Sequence, residues 1–290
     1  MSDIKVTVTR LDGKKKKHNF SADSLIKGNS VLFEWEQKSG RIRYHVDIEG
    51  SNQNGTWKGN TEIEIEALDM LSLDIDLASV DLVNGKMSFS TNRGIVKAVL
   101  EIEGKDRVII ANKTQEYDGK QSTNVIEWGE SSETPVLMSL EVHDIYGMWR
   151  STKIFRLEIP HTDVVFDTAD SSIRDDQEGH LQETLEPLLE ALRKYDDLAA
   201  ELYIAGYTDT VGSRSSNLSL SEKRAKSIAT WFSKNGVSVP IYYQGFGEDV
   251  LAVPTADEVD EEQNRRAIYL LTNTRPQSAD FPQTNWKRIH

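Results

Sequence analysis

The sequence predicts a multidomain chain: an all-β N-terminal half of one or two β-sandwich units, followed by a C-terminal α/β sandwich. Three observations carry this reading. Through the first 160 residues apolar positions recur at every second residue, and no segment of helical length and period interrupts them. After Pro160 the period lengthens, with Leu181, Leu185, Leu188, Leu189, Leu192 and Tyr195 at helical spacing. Beyond that, strand-like and helix-like segments alternate, as they do where helices pack on a sheet.

In the first half, Ile4, Val6 and Val8 alternate with polar residues. Asp12-Gly13 and the run Lys14–Lys17 then read as a solvated hairpin tip. SVLFEWEQKSGRIRYHVDIEG places Trp35 on a strand beside Val31 and Phe33, where it is predicted to be largely buried. The strongest alternation follows, at Ile42, Tyr44, Val46 and Ile48, then at Ile63 and Ile65. Further runs cover 96–102, 108–110, 137–142 and 154–159, with a turn at Asp144–Gly147. The spacing predicts two units, 1–80 and 81–160, divided near 78–84. Both resemble immunoglobulin-like or fibronectin-like sandwiches. A membrane barrel is the weaker reading, because the outer faces lack a sustained apolar band.

In the second half, HTDVVFDTADSSI reads as a short strand leading into a polar turn. A helix follows over 176–195, with Pro187 predicting either a kink or a late start. Next come a strand at 202–205, a loop, and a helix over 220–234 closed by Asn235-Gly236. Strands at 241–244 and 266–271 complete a domain of residues 161–274, and 275–290 reads as a tail.

Composition narrows the function classes. The chain has 290 residues, 38% hydrophobic and 28% charged, with 34 Lys plus Arg against 47 Asp plus Glu and a formal charge of −13. That field repels nucleic acid and anionic membranes. There is no cysteine, hence no disulfide, thiolate metal site, cysteine nucleophile or lipid-modified N-terminal Cys. No run approaches the ~18 apolar residues of a membrane-spanning helix. MSDIKVTVTR has no apolar signal core, which predicts a chain that stays where it is made or one whose signal has been removed.

The usual marks of catalysis and metal binding are missing. Six histidines, at 18, 45, 143, 161, 180 and 290, form no HxH or HExxH pair. There is no GxSxG elbow and no glycine-rich phosphate loop. DEVDEE at 257–262 lacks the ligand-and-glycine pattern of a calcium loop and reads as a solvated acidic loop. Trp35, Trp57, Trp128 and Trp149 read as packing residues rather than a sugar platform. No catalytic residue, metal or cofactor is expected.

The informative segment is IAGYTDTVGSRSSNLSLSEKRA, residues 204–225. A strand ends at Gly206, and Asp209 and Gly212 sit in the loop. The next helix is predicted to open at Ser219-Leu220-Ser221-Glu222, a capping box. Its free N–H groups and partial positive charge would suit a carboxylate. Arg224 stands one turn in, fifteen residues after Asp209. A carboxylate and a guanidinium flanking a helix start are complementary to a zwitterion. They equally suit a structural salt bridge, the commoner arrangement, and residue types alone do not separate the two.

Gly206-Tyr207-Thr208-Asp209, Gly212, Asn217, Leu218–Ala225, Gly245-Phe246-Gly247-Glu248, Pro254 and Asn264-Arg265-Arg266 occur in order, after FDTADSSI at 166–173. Over 163–272 this series resembles the OmpA-like peptidoglycan-binding domain. The resemblance implies an OmpA-like α/β sandwich that binds the peptide stem of peptidoglycan non-covalently, chiefly the amino-acid end of diaminopimelate. It implies that Asp209 takes the ammonium and Arg224 the carboxylate, that Ser213 and the Leu220 backbone line the pocket, and that Asn217 braces the loop. Four positions depart from the family pattern: Tyr207 replaces a histidine, Ser216 an aromatic, Glu262-Gln263 a Gly-Arg, and Thr168-Ala169 a Phe-Asp of the pocket wall. Asp170 is the substitute candidate at the last position, and Arg265 serves either the ligand or an acidic neighbour.

The implied function is a non-catalytic cell-wall anchor in the periplasm or envelope of a Gram-negative-type bacterium. The β domains would act as a spacer or hold a protein partner that the sequence does not name. The alternative is an assembly module of an envelope-associated or contractile machine whose OmpA-like domain no longer binds peptidoglycan.

Overall fold

The computed structural model describes residues 3–11, 17–22, 32–52, 54–131, 133–167, 170–282 and 285–289. Lys14–Lys16 of the expected hairpin tip, Val31 and Thr168-Ala169 lie outside them. By its contacts the chain divides into two compact units, Met1–Met70 and Leu71–His290. The parting thus falls ahead of 78–84, and there is none at 160.

In the first unit β1 (Asp3–Arg10), β2 (Lys17–Ala22), β3 (Gly40–Asn52) and β4 (Gly55–Ala67) form one antiparallel sheet in the order β2-β1-β3-β4. Period-two alternation sorts its faces. Val6, Val8, Ile42 and Tyr44 are buried on one face, packed by Ile63, Ile65, Phe33 and Trp35. Arg41–Glu66 and Arg43–Glu64 pair across the strands at 3.1 and 3.0 Å. Among the described residues this is a single sheet, where a sandwich needs two. Trp35 departs from its expected place. Residues 32–38 form no strand, and Trp35 is half-buried, edge-on to Tyr44 at 5.7 Å. Side-chain hydrogen bonds fasten this segment instead. The Tyr44 hydroxyl donates to Gln37 Oε1 at 2.8 Å, and Gln37 Nε2 donates to the Gly40 carbonyl at 3.0 Å.

The second unit begins with β5 (Leu73–Ile75), β6 (Lys86–Thr91), β7 (Ile95–Glu103), β8 (Ile109–Glu116), β9 (Thr123–Glu127), β10 (Leu137–Asp144) and β11 (Trp149–Glu158). Strands β5, β6 and β9 form a three-stranded sheet. Its Met87, Phe89 and Ile126 share a core with Leu100, Ile102, Leu140 and Val142 of β7 and β10. The sequence reading missed these three short strands, since β6 and β9 each offer only two fully buried alternating positions before the threonine that ends β6.

After Pro160 come α1 (Glu178–Lys194), β12 (Glu201–Tyr207), α2 (Arg214–Lys234), β13 (Ile241–Gly247), β14 (Ala267–Thr272) and β15 (Lys287–Arg288). Pro187 does not delay α1, which starts at Glu178 and continues past it to Lys194. It is exposed, and so is Glu183, whose carbonyl loses its helical partner to the proline and can be hydrated. The two helices cover one face of a mixed sheet, packing Leu181, Leu188, Ile228 and Phe232 against Leu202, Ile204 and Leu271. Phe281 and Trp286 cover the other face against Tyr203, Tyr207 and Phe246, and β15 pairs with β13. The expected tail is therefore built into the fold.

Strand β11 joins the two halves of this unit. Its residues Trp149–Phe155 pair with β10, and Arg156–Glu158 pair with β14, giving one sheet in the order β15-β13-β12-β14-β11-β10-β7-β8. This explains why the short strand expected at the start of HTDVVFDTADSSI is absent from the described residues 161–167. β11 and Ile159, whose amide donates to the Tyr269 carbonyl at 2.8 Å, already occupy the edge of β14. The next amide of β14, Ala267, is taken by the Asp163 carboxylate at 2.8 Å rather than by a strand.

Candidate functional site

The loop after β12 is held by side chains. Asn217 is buried and donates from Nδ2 to the carbonyls of Asp209 and Val211 at 3.3 and 3.1 Å, and to Glu248 Oε2 at 2.5 Å. Asn264, also buried, both donates to and accepts from the Val253 backbone at 2.9 Å. The motif glycines are places where α2 lies directly on the strands. A Cβ on Gly206 would stand 2.5 Å from the Ser221 carbonyl oxygen, and one on Gly245 would stand 2.5 Å from Ser221 Oγ. That hydroxyl accepts the Gly247 amide at 2.9 Å, and Gly247 turns with φ +56°.

Helix α2 starts earlier than the capping-box reading placed it. Ser213 is the cap, accepting the Ser216 amide, and the helix runs from Arg214. Ser219, Leu220, Ser221 and Glu222 are interior to the helix, and Glu222 pairs with Lys287 at 2.5 Å. Ser213, followed three residues on by Ser216 rather than a glutamate, fills the capping role, while the S-x-x-E match at 219–222 falls one and a half turns inside the helix. The Leu220 amide is spent on the helix and offers nothing to a ligand.

A cleft of 470 Å³ opens beside α2, with Phe166, His180, Arg224, Glu262, Arg265 and Arg266 among its walls. The guanidinium of Arg224 lies 5.0 Å over the Phe166 ring. Its Nε donates to the Asp170 carbonyl at 3.0 Å and its Nη2 to the Asp167 carbonyl at 3.2 Å. Among the described residues no carboxylate forms an ion pair with it. Burial is the main cause that lowers its pKa, and Asp209 and Arg265 act on it in opposite senses. It remains charged, but it is a cation whose lost hydration is replaced by carbonyl dipoles and a ring face rather than by an anion.

Asp209 is buried and engaged. Its Oδ2 accepts Arg265 Nη1 at 2.7 Å, and its Oδ1 accepts the Val211 amide at 3.3 Å. Arg265 also pairs with Asp260, and the Asp209 and Asp260 carboxylates together hold its pKa above the usual arginine value. The acidic loop is thus more than solvated surface, since Glu258 Oε2 also accepts the Gly212 amide at 3.2 Å. Among the described residues no cluster of three or more His, Cys, Asp or Glu could hold a metal ion.

Residues 165–265 match the OmpA family. This segment is an OmpA-family domain. It resembles outer membrane protein A of Serratia odorifera, 36% identical over 98 residues, covering 33% of this chain and 37% of that protein. It also resembles the peptidoglycan-associated lipoprotein of Legionella pneumophila, 38% identical over 77 residues, or 26% of this chain and 44% of that protein. The crystal structure of the peptidoglycan-associated lipoprotein from Burkholderia pseudomallei aligns with 26% identity and a TM-score of 0.31, over 38% of this chain and 88% of that one. The chain spans less than half the length of the two curated relatives.

In this OmpA-family domain the expected site residues separate into groups. Arg224 and Arg265 line the cleft. Asp209 is not on its wall and reaches it through Arg265. Asp170 offers its carbonyl to Arg224, while its carboxylate accepts the amides of Ser171 and Ser172 at 2.6 and 3.0 Å. Asn217 ties the loop, and Ser213 and Leu220 stand away from the cleft. The sequence reading did not single out Phe166, His180 or Arg266 as wall residues. Phe166 and Arg266 belong to the motif pieces FDTADSSI and Asn264-Arg265-Arg266, so the signal was present but unassigned.

Proposed function

We propose that the OmpA-family domain is a non-catalytic cell-wall anchor, binding the peptide stem of peptidoglycan in the Arg224 cleft. The observation that carries the reading is Arg224 itself, a partly buried guanidinium on a cleft wall with no carboxylate bonded to it among the described residues. A ligand carboxylate would supply the missing anion, and a bidentate contact of this kind contributes about 1.5–3 kcal/mol. In diaminopimelate the ammonium beside that carboxylate would go to Asp209, exchanging with Arg265. No bond is made or broken. The names of the relatives, an outer membrane protein and a peptidoglycan-associated lipoprotein, favour an envelope location and this ligand class. Residues before the domain would serve as spacer or as the seat of a protein partner.

Co-sedimentation with purified sacculi tests the reading. Wild-type protein should pellet with sacculi and be released by free diaminopimelate, and Arg224→Ala should bind at least tenfold more weakly, about 1.4 kcal/mol. Wild type that ignores sacculi, or Arg224→Ala that binds as well as wild type, removes the anchor reading. A second reading, an assembly module that does not bind wall, then takes its place. The Asp209–Arg265 pair favours it, because the carboxylate meant for the ammonium is already occupied.

A further inference from the structure

We infer that β4 is a self-pairing edge, through which two copies of this chain join antiparallel about a two-fold axis at Thr61. Strand β4 ends the sheet β2-β1-β3-β4. β3 pairs with it along its whole length, from Gly40–Ala67 to Asn52–Gly55, without a register break. Among the described residues no strand pairs with its other side. Folded proteins protect such edges by keeping them short, by proline or by a bulge. This one has 13 residues, spans about 40 Å, and has neither proline nor bulge. Its residues Gly55–Glu62 are all exposed.

The remaining protective device is charge, and here the charges are self-complementary. On β4 the even-numbered side chains share the face of Lys58, Glu62, Glu64 and Glu66, and the odd-numbered ones share the face of Trp57, Gly59, Thr61, Ile63 and Ile65. In the one antiparallel register that pairs the strand from end to end, Thr61 meets its own copy. Lys58 then stands opposite the second copy's Glu64, and Asn60 opposite its Glu62. On the apolar face Trp57 stands opposite Ile65, and Gly59 opposite Ile63. Each of these contacts occurs twice by symmetry, which is the isologous pattern of a closed dimer. A slip that moves the axis to Glu62 sets two like charges face to face. A slip toward Asn60 leaves the Glu66 end unpaired.

The structure of a single copy fits this register. Lys58 Nζ already holds Glu49 at 2.5 Å, so a second carboxylate would complete a bridge between two anions. Trp57 lies across Gly50, where a Cβ would collide with its ring, and remains 47% exposed. The second copy's Ile65 would cover the open part of that ring, the kind of cross-strand aromatic and β-branched pair that stabilises sheets.

The full chain carries its own probe, because it has no cysteine. Thr61→Cys should give a disulfide-linked dimer under mild oxidation, since directly opposed β-carbons in antiparallel strands lie about 4.5–5.5 Å apart and need little adjustment to bridge. Thr56→Cys, which would face Glu66 rather than itself, should cross-link at least tenfold more slowly. By sedimentation equilibrium the wild type should be dimeric. Lys58→Glu and Glu64→Lys, both at exposed positions, should each weaken association at least tenfold, and the double exchange should restore it. A wild type that stays monomeric at about 100 μM, equal cross-linking of the two cysteine variants, or a dimer indifferent to Lys58→Glu would overturn the inference. None of these readouts depends on wall binding.

Discussion

Arg265 Nη1 bonds Asp209 Oδ2 at 2.7 Å, so the carboxylate and guanidinium that are fifteen positions apart in the motif, Asp209 and Arg224, do not form the pair. The partner of Asp209 comes from the far end of the domain, 56 positions along the chain. Arg224 is left to the backbone carbonyls of Asp167 and Asp170.

This arrangement predicts coupling between Asp209 and Arg265. In a double-mutant cycle of Asp209→Ala and Arg265→Ala, the stabilities measured by urea denaturation should be non-additive by roughly 0.5–1 kcal/mol. Arg265 keeps 38% of its side chain in solvent, which screens the pair. Asp209 and Arg224, which feel each other's charge but share no hydrogen bond, should couple more weakly than Asp209 and Arg265. Additivity for the first pair would show that the bond contributes nothing in solution.

A second prediction concerns acid stability. Asp144 is fully buried, and burial alone would raise its pKa. Arg93 Nε at 2.7 Å and the amides of Met148 and Tyr146 outweigh this and hold it below the usual carboxylate value. A depressed folded-state value means that the stabilisation is complete above the unfolded value of about 3.9, and is lost as pH falls through the lower folded value. Arg93→Ala should therefore cost about 3–5 kcal/mol at neutral pH by stranding a buried charge. Asp144→Asn should flatten the acid limb of a stability–pH curve.

The shared strand predicts how the chain can be cut. Val136, Leu137, Phe155 and Ile159 belong to the core beneath α1 and α2, and Asn273 Oδ1 accepts the Phe155 amide at 2.9 Å. A fragment of residues 161–290 should lack cooperative thermal unfolding, whereas 71–290 should unfold as one transition. Within the full chain Phe155→Ala should destabilise the OmpA-family domain by about 3–5 kcal/mol. Independent folding of 161–290 with unchanged stability would contradict the shared core.

The glycine at the crossing of α2 and β13 predicts a steric effect. Gly245→Ala places a methyl group against the Glu222 amide and Ser221 Oγ, backbone and buried atoms that cannot swing aside. It should cost at least about 2 kcal/mol by chemical denaturation. Gly212→Ala, with open space around its Cβ but φ +95°, should cost about 1 kcal/mol from backbone strain alone.

Much was legible because it is local. Alternation at Ile42–Ile48, helical spacing at Leu181–Leu192 and the order of the motif pieces each lie within a short window, and the helices, the β-rich half and the OmpA-family domain follow from them. A local pattern also misled. Ser219 and Glu222 match a capping box, yet α2 begins at Arg214 with Ser213 as its cap, and Asn217 in its first turn bonds the Asp209 loop.

By itself the sequence determined which segments bury one face and which motif series the C-terminal domain carries, since side-chain period and residue order act over a few residues. Only the tertiary structure decided which charges meet, that β11 pairs with β10 along one stretch and with β14 along the next, and that the last residues close a core. Arg265 reaches Asp209, Arg156 reaches Thr272, and Trp286 reaches Tyr203 across separations at which the chain imposes no geometry of its own. Such pairings are chosen by which arrangement buries the most apolar surface with its polar groups satisfied, and that choice belongs to the whole fold.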